Sequence, residues 1–126
     1  MGNGVNMRTC RRFEIPGAEG KYKKMGLLVL RKGFSEIYPV INLSKGGLAF
    51  LCNRKLNEGD RVVVQLQVPD ETTMDLKSIV TNQRLWTDGE SIVTGVKFMP
   101  FGKRSTSNPM EMLDILRALD AKYGKD

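Results

Sequence analysis

The sequence predicts a mainly β domain: six short strands in a small antiparallel barrel or sandwich, preceded by an N-terminal arm and followed by one α-helix. Three observations carry that expectation. Short apolar segments recur between residues 25 and 99, separated by Gly, Asn and Asp turn signals. One of them alternates cleanly, with Val62, Val64, Leu66 and Val68 set against Val63, Gln65 and Gln67, which is the period of a half-buried strand. Helical spacing of apolar residues begins only after Asn108.

Taken in order, residues 1–20 are rich in Gly and Asn and then in Arg, with a turn signal at Pro16 and Gly17 and no sustained period, and they read as an arm. The first strand is expected over Met25–Leu30, a compact apolar run, and the second over Ile37–Leu43 after a turn at Lys32 to Ser35. The turn Ser44 to Gly47 leads into a third strand, Leu48–Cys52. Asn57 to Asp60 then turns the chain into Arg61–Val68, which Pro69 and Asp70 end. Met74–Trp86 alternates loosely through Met74, Leu76, Ile79 and Leu85. Asp88 and Gly89 signal a hairpin back into Ser91–Met99, with Ile92, Val96 and Phe98 as its apolar positions. For the helix, Asn108 reads as N-cap, Pro109 as first helical residue, Glu111 as the glutamate of a capping box and Gly124 as the stop. Met112, Ile115, Leu116, Leu119 and Tyr123 fall on one face, opposite Asp114, Arg117 and Lys122, so the helix is expected to pack over the barrel. The resulting division is an arm at 1–20, a barrel at 21–101 and a helix at 108–123, all within one domain.

A chain of 126 residues, 40% hydrophobic and 27% charged, suffices for one core without metal or disulfide staples. No apolar run approaches the ~20 residues that cross a bilayer, and the first residues lack the basic and apolar regions of a secretory signal, so a cytoplasmic protein without membrane insertion is expected. Histidine is absent, and Cys10 and Cys52 have no metal-like spacing, which excludes a Cys–His nucleophile or a zinc site and leaves two free thiols. Asp60, Asp70, Glu71, Asp75, Asp88 and Glu90 lie mostly in or beside turns without the pairing that acid–base catalysis needs, and no P-loop pattern is present. An enzyme is therefore not expected. A net charge of +6 points instead to an anionic partner: a nucleotide, a nucleic acid or an acidic protein.

Two short patterns narrow that choice. Arg8, Arg11 and Arg12 form a cluster in the arm, with Arg8 and Arg12 in R-x-x-x-R spacing. Guanidinium groups bond phosphate oxygens or the O6 and N7 edge of guanine in pairs and stack on purines. The second pattern, N-x-S-x-x-G, places the Asn42 amide and the Ser44 hydroxyl on a strand-to-strand turn, where Gly46 and Gly47 permit positive φ and close approach of a ligand to the backbone. Each pattern alone is more often a solvated charge run or an ordinary turn.

Together, in this order and about thirty residues apart, they resemble the two-part signature of the PilZ domain family, bacterial receptors for the second messenger cyclic di-GMP. The stretches Phe13 to Ala18, Gly47 to Phe50 and Gly95 to Phe98 also look familial, so the resemblance runs from about Arg8 to Met99. It implies a six-stranded antiparallel β-barrel, cyclic di-GMP as ligand with no further cofactor and no metal, and an arginine arm that wraps the ligand against the barrel. Carried over by position, the ligand-binding set is Arg8, Arg11, Arg12, Asn42, Ser44, Gly46 and Gly47. Asn42 stands where many members carry Asp, and Arg11 duplicates the charge beside Arg12. Some family members bind the ligand as an intercalated dimer and others as a monomer, this chain is expected as a monomer or homodimer, and the implied role is an adaptor that addresses a downstream protein effector. The alternative is a small basic barrel that binds single-stranded nucleic acid. Against it, Phe34, Tyr38, Phe50, Trp86 and Phe98 are scattered, where such sites need surface aromatics along a cationic groove.

Overall fold

The computed structural model describes residues 11–25 and 33–124. Six strands, β1 (Glu19–Lys24), β2 (Tyr38–Leu43), β3 (Gly47–Cys52), β4 (Arg61–Gln67), β5 (Met74–Leu85) and β6 (Ile92–Phe98), are followed by one helix, α1 (Met110–Tyr123). The strands close into a barrel in the order β1-β2-β3-β6-β5-β4, with antiparallel pairing throughout. The expected barrel is thus present, closed at β1 and β2 by a short pairing of Glu19 with Pro39 and Gly20 with Tyr38. No helix among the described residues is long and apolar enough to cross a membrane.

Strand β4 matches its alternation: Val62, Val64 and Leu66 are buried and the residues between them are not. The other inward positions come from every strand and include Tyr22, Tyr38, Leu48, Phe50, Met74, Leu76, Val80, Val96 and Phe98. Tyr22, Tyr38 and Phe50 pack together with ring centroids 5.8 to 6.2 Å apart, the two tyrosines stacked and Phe50 tilted against both. The helix joins the same core through Leu116 and Leu119, with Met112, Ile115 and Tyr123 packed against it.

Three expectations need correction. The first strand lies at Glu19–Lys24 and not at Met25–Leu30: Met25 is outside the strand and 40% exposed, and residues 26–30 lie outside the described residues. Strand β1 pairs with β4 through Gly20 opposite Leu66 and Tyr22 opposite Val64, so its inward face carries a glycine and a tyrosine while lysines occupy the other. In β5 the inward residues are Met74, Leu76, Ser78 and Val80, in strict alternation; Ile79 is only half-buried and Leu85 is 65% exposed. The third correction concerns the helix start. The N-cap is Pro109, without a side-chain cap hydrogen bond, so Asn108 and Glu111 form no capping box.

Asn108 has a different task. It is fully buried, its Oδ1 accepts the Lys77 N–H at 2.7 Å, and its Nδ2 donates to the carbonyls of Lys77 and Met99 at 3.0 and 2.9 Å. The side chain thereby continues the hydrogen bonding of β5 beyond the end of β6, and it ties the approach to α1 to the barrel wall. A side chain used in this way cannot also reach back to the first turn of the helix.

A candidate anion site where the N-terminal segment meets the β2–β3 turn

Before β1, the chain makes one antiparallel bridge to the end of β2, in which the Phe13 N–H donates to the Leu43 carbonyl at 2.8 Å and the Leu43 N–H to the Phe13 carbonyl at 2.9 Å. Both side chains are buried, and so is Ile15. The apolar anchors Phe13 and Ile15 therefore hold residues that the arginine-rich composition marks as a solvated arm. They fix Arg12 beside the turn between β2 and β3. Its Nη1 donates to Asn42 Oδ1 at 2.7 Å, which brings one residue of each sequence pattern into direct contact.

Asn42 is aimed by a local irregularity. The β2–β3 register pairs Val40 with Phe50 but Asn42 with Ala49, a shift that inserts an extra residue on β2. Such bulges re-aim a side chain next to a site. No sequence signal marks this one.

The turn itself is rigid for internal reasons. Ser44 is buried; its Oγ accepts the Gly46 N–H at 3.0 Å and donates to the Gly47 carbonyl at 3.4 Å, while the Ser44 N–H reaches the same carbonyl at 2.8 Å. The Gly46 carbonyl accepts the Phe98 N–H at 2.8 Å, which pins the turn to β6. Neither Gly46 nor Gly47 adopts positive φ, contrary to the reading of these glycines from the sequence. Gly47 is required for another reason: a Cβ there would overlap the Val96 carbonyl oxygen of the neighbouring strand. Gly47→Ala is therefore expected to cost about 1 to 3 kcal/mol of stability, the range for overpacking a closed site. Thermal unfolding checks this, and an unchanged midpoint contradicts it.

The other arginine of the described segment faces elsewhere. Arg11 Nη2 lies 3.5 Å from Asp120 Oδ1 on α1, so adjacent arginines touch the turn and the helix respectively. That position near the helix C-terminus suits a cation. Arg8 lies outside the described residues. Lys45, which the sequence reading did not single out, stands between Ser44 and Gly46 and adds a cation to the turn. The result is a cationic, hydrogen-bonding pair, Arg12 and Asn42, beside a turn that carries Lys45 and whose backbone is fixed from both sides. It suits a phosphate-bearing ligand. Tyr38, Phe50 and Phe98 are buried in the core, which removes them as stacking platforms for nucleic acid.

Comparison with known proteins agrees with this picture. The family model described as PilZ domain matches residues 10–111. Among solved structures, the chain is similar to one described as the structure of K. pneumonia MrkH-c-di-GMP complex, with a TM-score of 0.61 and 15% identity, over 90% of this chain and 51% of that chain. The chain thus spans about half the length of that protein, and at this identity the likeness speaks for the fold. No curated protein matches.

Proposed function

The chain belongs to the PilZ domain family, and we propose that it is a receptor for cyclic di-GMP, with the ligand held where the segment around Arg12 meets the β2–β3 turn. The observation that carries this reading is the 2.7 Å hydrogen bond between Arg12 and Asn42, which joins the two halves of the family signature across about thirty residues of sequence. The solved neighbour described as a cyclic di-GMP complex supports the ligand's identity. Arg12, with Arg8 from the preceding segment, supplies guanidinium groups for the phosphates or the guanine edges, and Asn42 supplies an amide. Ser44, Gly46 and Gly47 contribute by holding the turn in place, with backbone groups at its surface. Titration calorimetry with cyclic di-GMP on wild type and Arg12→Ala, with GTP and cyclic GMP as controls, tests the reading: saturable cyclic di-GMP binding that the substitution weakens is expected, and GTP binding that depends equally on Arg12 contradicts it.

The same geometry supplies a route to a downstream protein. Arg11 and Arg12 are consecutive, so a ligand that draws Arg12 toward its phosphates also displaces the backbone that carries Arg11. The Arg11–Asp120 pair is partly exposed, with side chains 51% and 18% accessible, and such pairs are worth about 0 to 1 kcal/mol. It is a contact weak enough for ligand binding to break. The surface of α1 near Asp120 then changes with occupancy and offers an effector a ligand-dependent contact. Asp120→Ala removes the competing contact and is expected to tighten cyclic di-GMP binding by roughly two- to fivefold, the equivalent of that energy. Calorimetry showing unchanged or weaker binding removes Arg11 from the relay.

A further inference from the structure

A second polar cleft, of about 570 Å³, opens at the opposite end of β2. Tyr38 at the start of β2 lines it, whereas the Arg12 contact is to Asn42 near the strand's end, so four residues, or roughly 13 Å of strand, separate the two places. Lys23 and Lys24 at the end of β1 and Arg54 and Lys55 in the β3–β4 connection converge on this cleft, against a single acidic lining residue, Glu36. Three of the four cations already have company, Arg54 through a hydrogen bond with the Tyr38 side chain. Lys24 lies 3.6 Å from Asp60, and Lys23 sits 4.9 Å over the Phe34 ring. Arg54 and Lys55 form no salt bridge among the described residues, and both side chains are exposed.

The loop that carries them is held from behind. Gln83 on β5 accepts the Leu56 N–H at 2.8 Å through Oε1, while its Nε2 donates to the Arg54 carbonyl at 3.2 Å and to Thr94 Oγ1 at 2.9 Å. Cys52 Sγ, buried under the loop, donates to the same Arg54 carbonyl at 3.2 Å, and Thr94 is fully buried. The Tyr38 hydroxyl donates to Asn53 Oδ1 at 2.9 Å and fixes the other side of the loop. This network fixes the backbone of the cations before any ligand arrives, which lowers the cost of binding one. The cleft floor is the edge of Tyr22 and Tyr38, with Phe34 at the side. Burial raises the pKa of both phenols, so they remain neutral hydroxyl groups at physiological pH.

Preorganised cations, an aromatic floor and a volume within the ~300 to 1,000 Å³ of small-molecule sites describe one kind of ligand. We propose that this cleft is a second binding site, separate from the Arg12–Asn42 surface, for a phosphate-bearing ligand of about mononucleotide size, with Arg54 and Lys55 on the phosphate and the planar part beside Phe34, over the floor that the edges of Tyr22 and Tyr38 form. An allosteric or substrate-like anion seated there would contact β1, β2 and the β3–β4 loop at once.

The test is a titration of the full chain with GMP, followed by amide and aromatic-ring NMR shifts, with guanosine as the control that lacks phosphate. Saturable shifts at Tyr22, Ser35, Tyr38, Arg54 and Lys55 are expected. Arg54→Ala combined with Lys55→Ala, two exposed positions, is expected to weaken them at least tenfold without changing cyclic di-GMP binding. Gln83→Ala, which alters only the support of the loop, is expected to weaken GMP severalfold. Shifts that do not saturate, shifts centred on Arg12 and Asn42, equal binding of guanosine, or undiminished binding in the double variant would each overturn the proposal.

Discussion

Asn108→Ala is expected to lower the free energy of unfolding by about 2 to 4 kcal/mol, because it strips partners from two backbone groups at a fully buried position, each costing roughly 1 to 3 kcal/mol. The Lys77 N–H loses its acceptor and the Met99 carbonyl loses its donor, whereas the Lys77 carbonyl keeps the Met99 N–H at 2.8 Å. The damage is concentrated where β5 and β6 hand the chain to the helix. Lys77 Nζ also reaches the Ser105 carbonyl at 2.6 Å, so the connection before Asn108 is tied to the same residue of β5. Asn108→Asp offers no rescue: it keeps an acceptor for the Lys77 N–H, loses both donated bonds and buries a charge. Urea unfolding with an unchanged slope measures the loss. A difference below about 0.5 kcal/mol, the level of an ordinary surface substitution, contradicts the role assigned to this amide.

The largest effect on function is expected from Arg12→Ala, a loss of about 1.5 to 3 kcal/mol in cyclic di-GMP binding, the scale of a hydrogen bond to a charged group. In affinity that is roughly ten- to 150-fold. Arg12 is exposed and its guanidinium bonds the side chain of Asn42 at the surface, so the fold has little stake in it. Stability should change by less than about 1 kcal/mol, as for exposed polar pairs in general. Arg12→Lys keeps the charge and loses the planar fork, and an intermediate loss is expected from it. Calorimetry on the three proteins decides: equal affinities would remove Arg12 from the site.

Most of the barrel was legible because its signals are local. Gly59 and Gly89 adopt φ of +93° and +76° at turns flagged by Asn-Glu-Gly-Asp and Asp-Gly, and the alternation of β4 is written in its valines. Strand β1 was not legible. Its inward positions are Gly20, which has no side chain to signal burial, and Tyr22, while Lys21, Lys23 and Lys24 dominate its composition. The apolar run beginning at Met25 is by composition the better strand, and only pairing with β4 decides between them. The helix start failed for a related reason. Asn-Pro-Met-Glu is a sound capping pattern, and tertiary hydrogen bonds with the Lys77 N–H and the Met99 carbonyl outcompeted it for the Asn108 side chain.

The candidate site divides in the same way. Arg12 and Asn42 were legible as chemistry, since a guanidinium and an amide advertise what they bind. Ser44 and Gly47 were legible as positions, and their tasks in the fold were not: one closes a turn through its own hydroxyl, and the other makes room for the Val96 carbonyl. Asp120 and Gln83 carried no signal, because each acquires its role from a partner more than twenty-five residues away in sequence.

The most direct test of the central claim is a map of amide chemical-shift changes as cyclic di-GMP is titrated into the full chain. Changes concentrated at residues 8–13 and 42–47, with a smaller set around Asp120 on α1, are predicted. Changes centred on the Arg54 and Lys55 loop instead, or saturating concentrations that leave Arg12 and Asn42 unshifted, would contradict it.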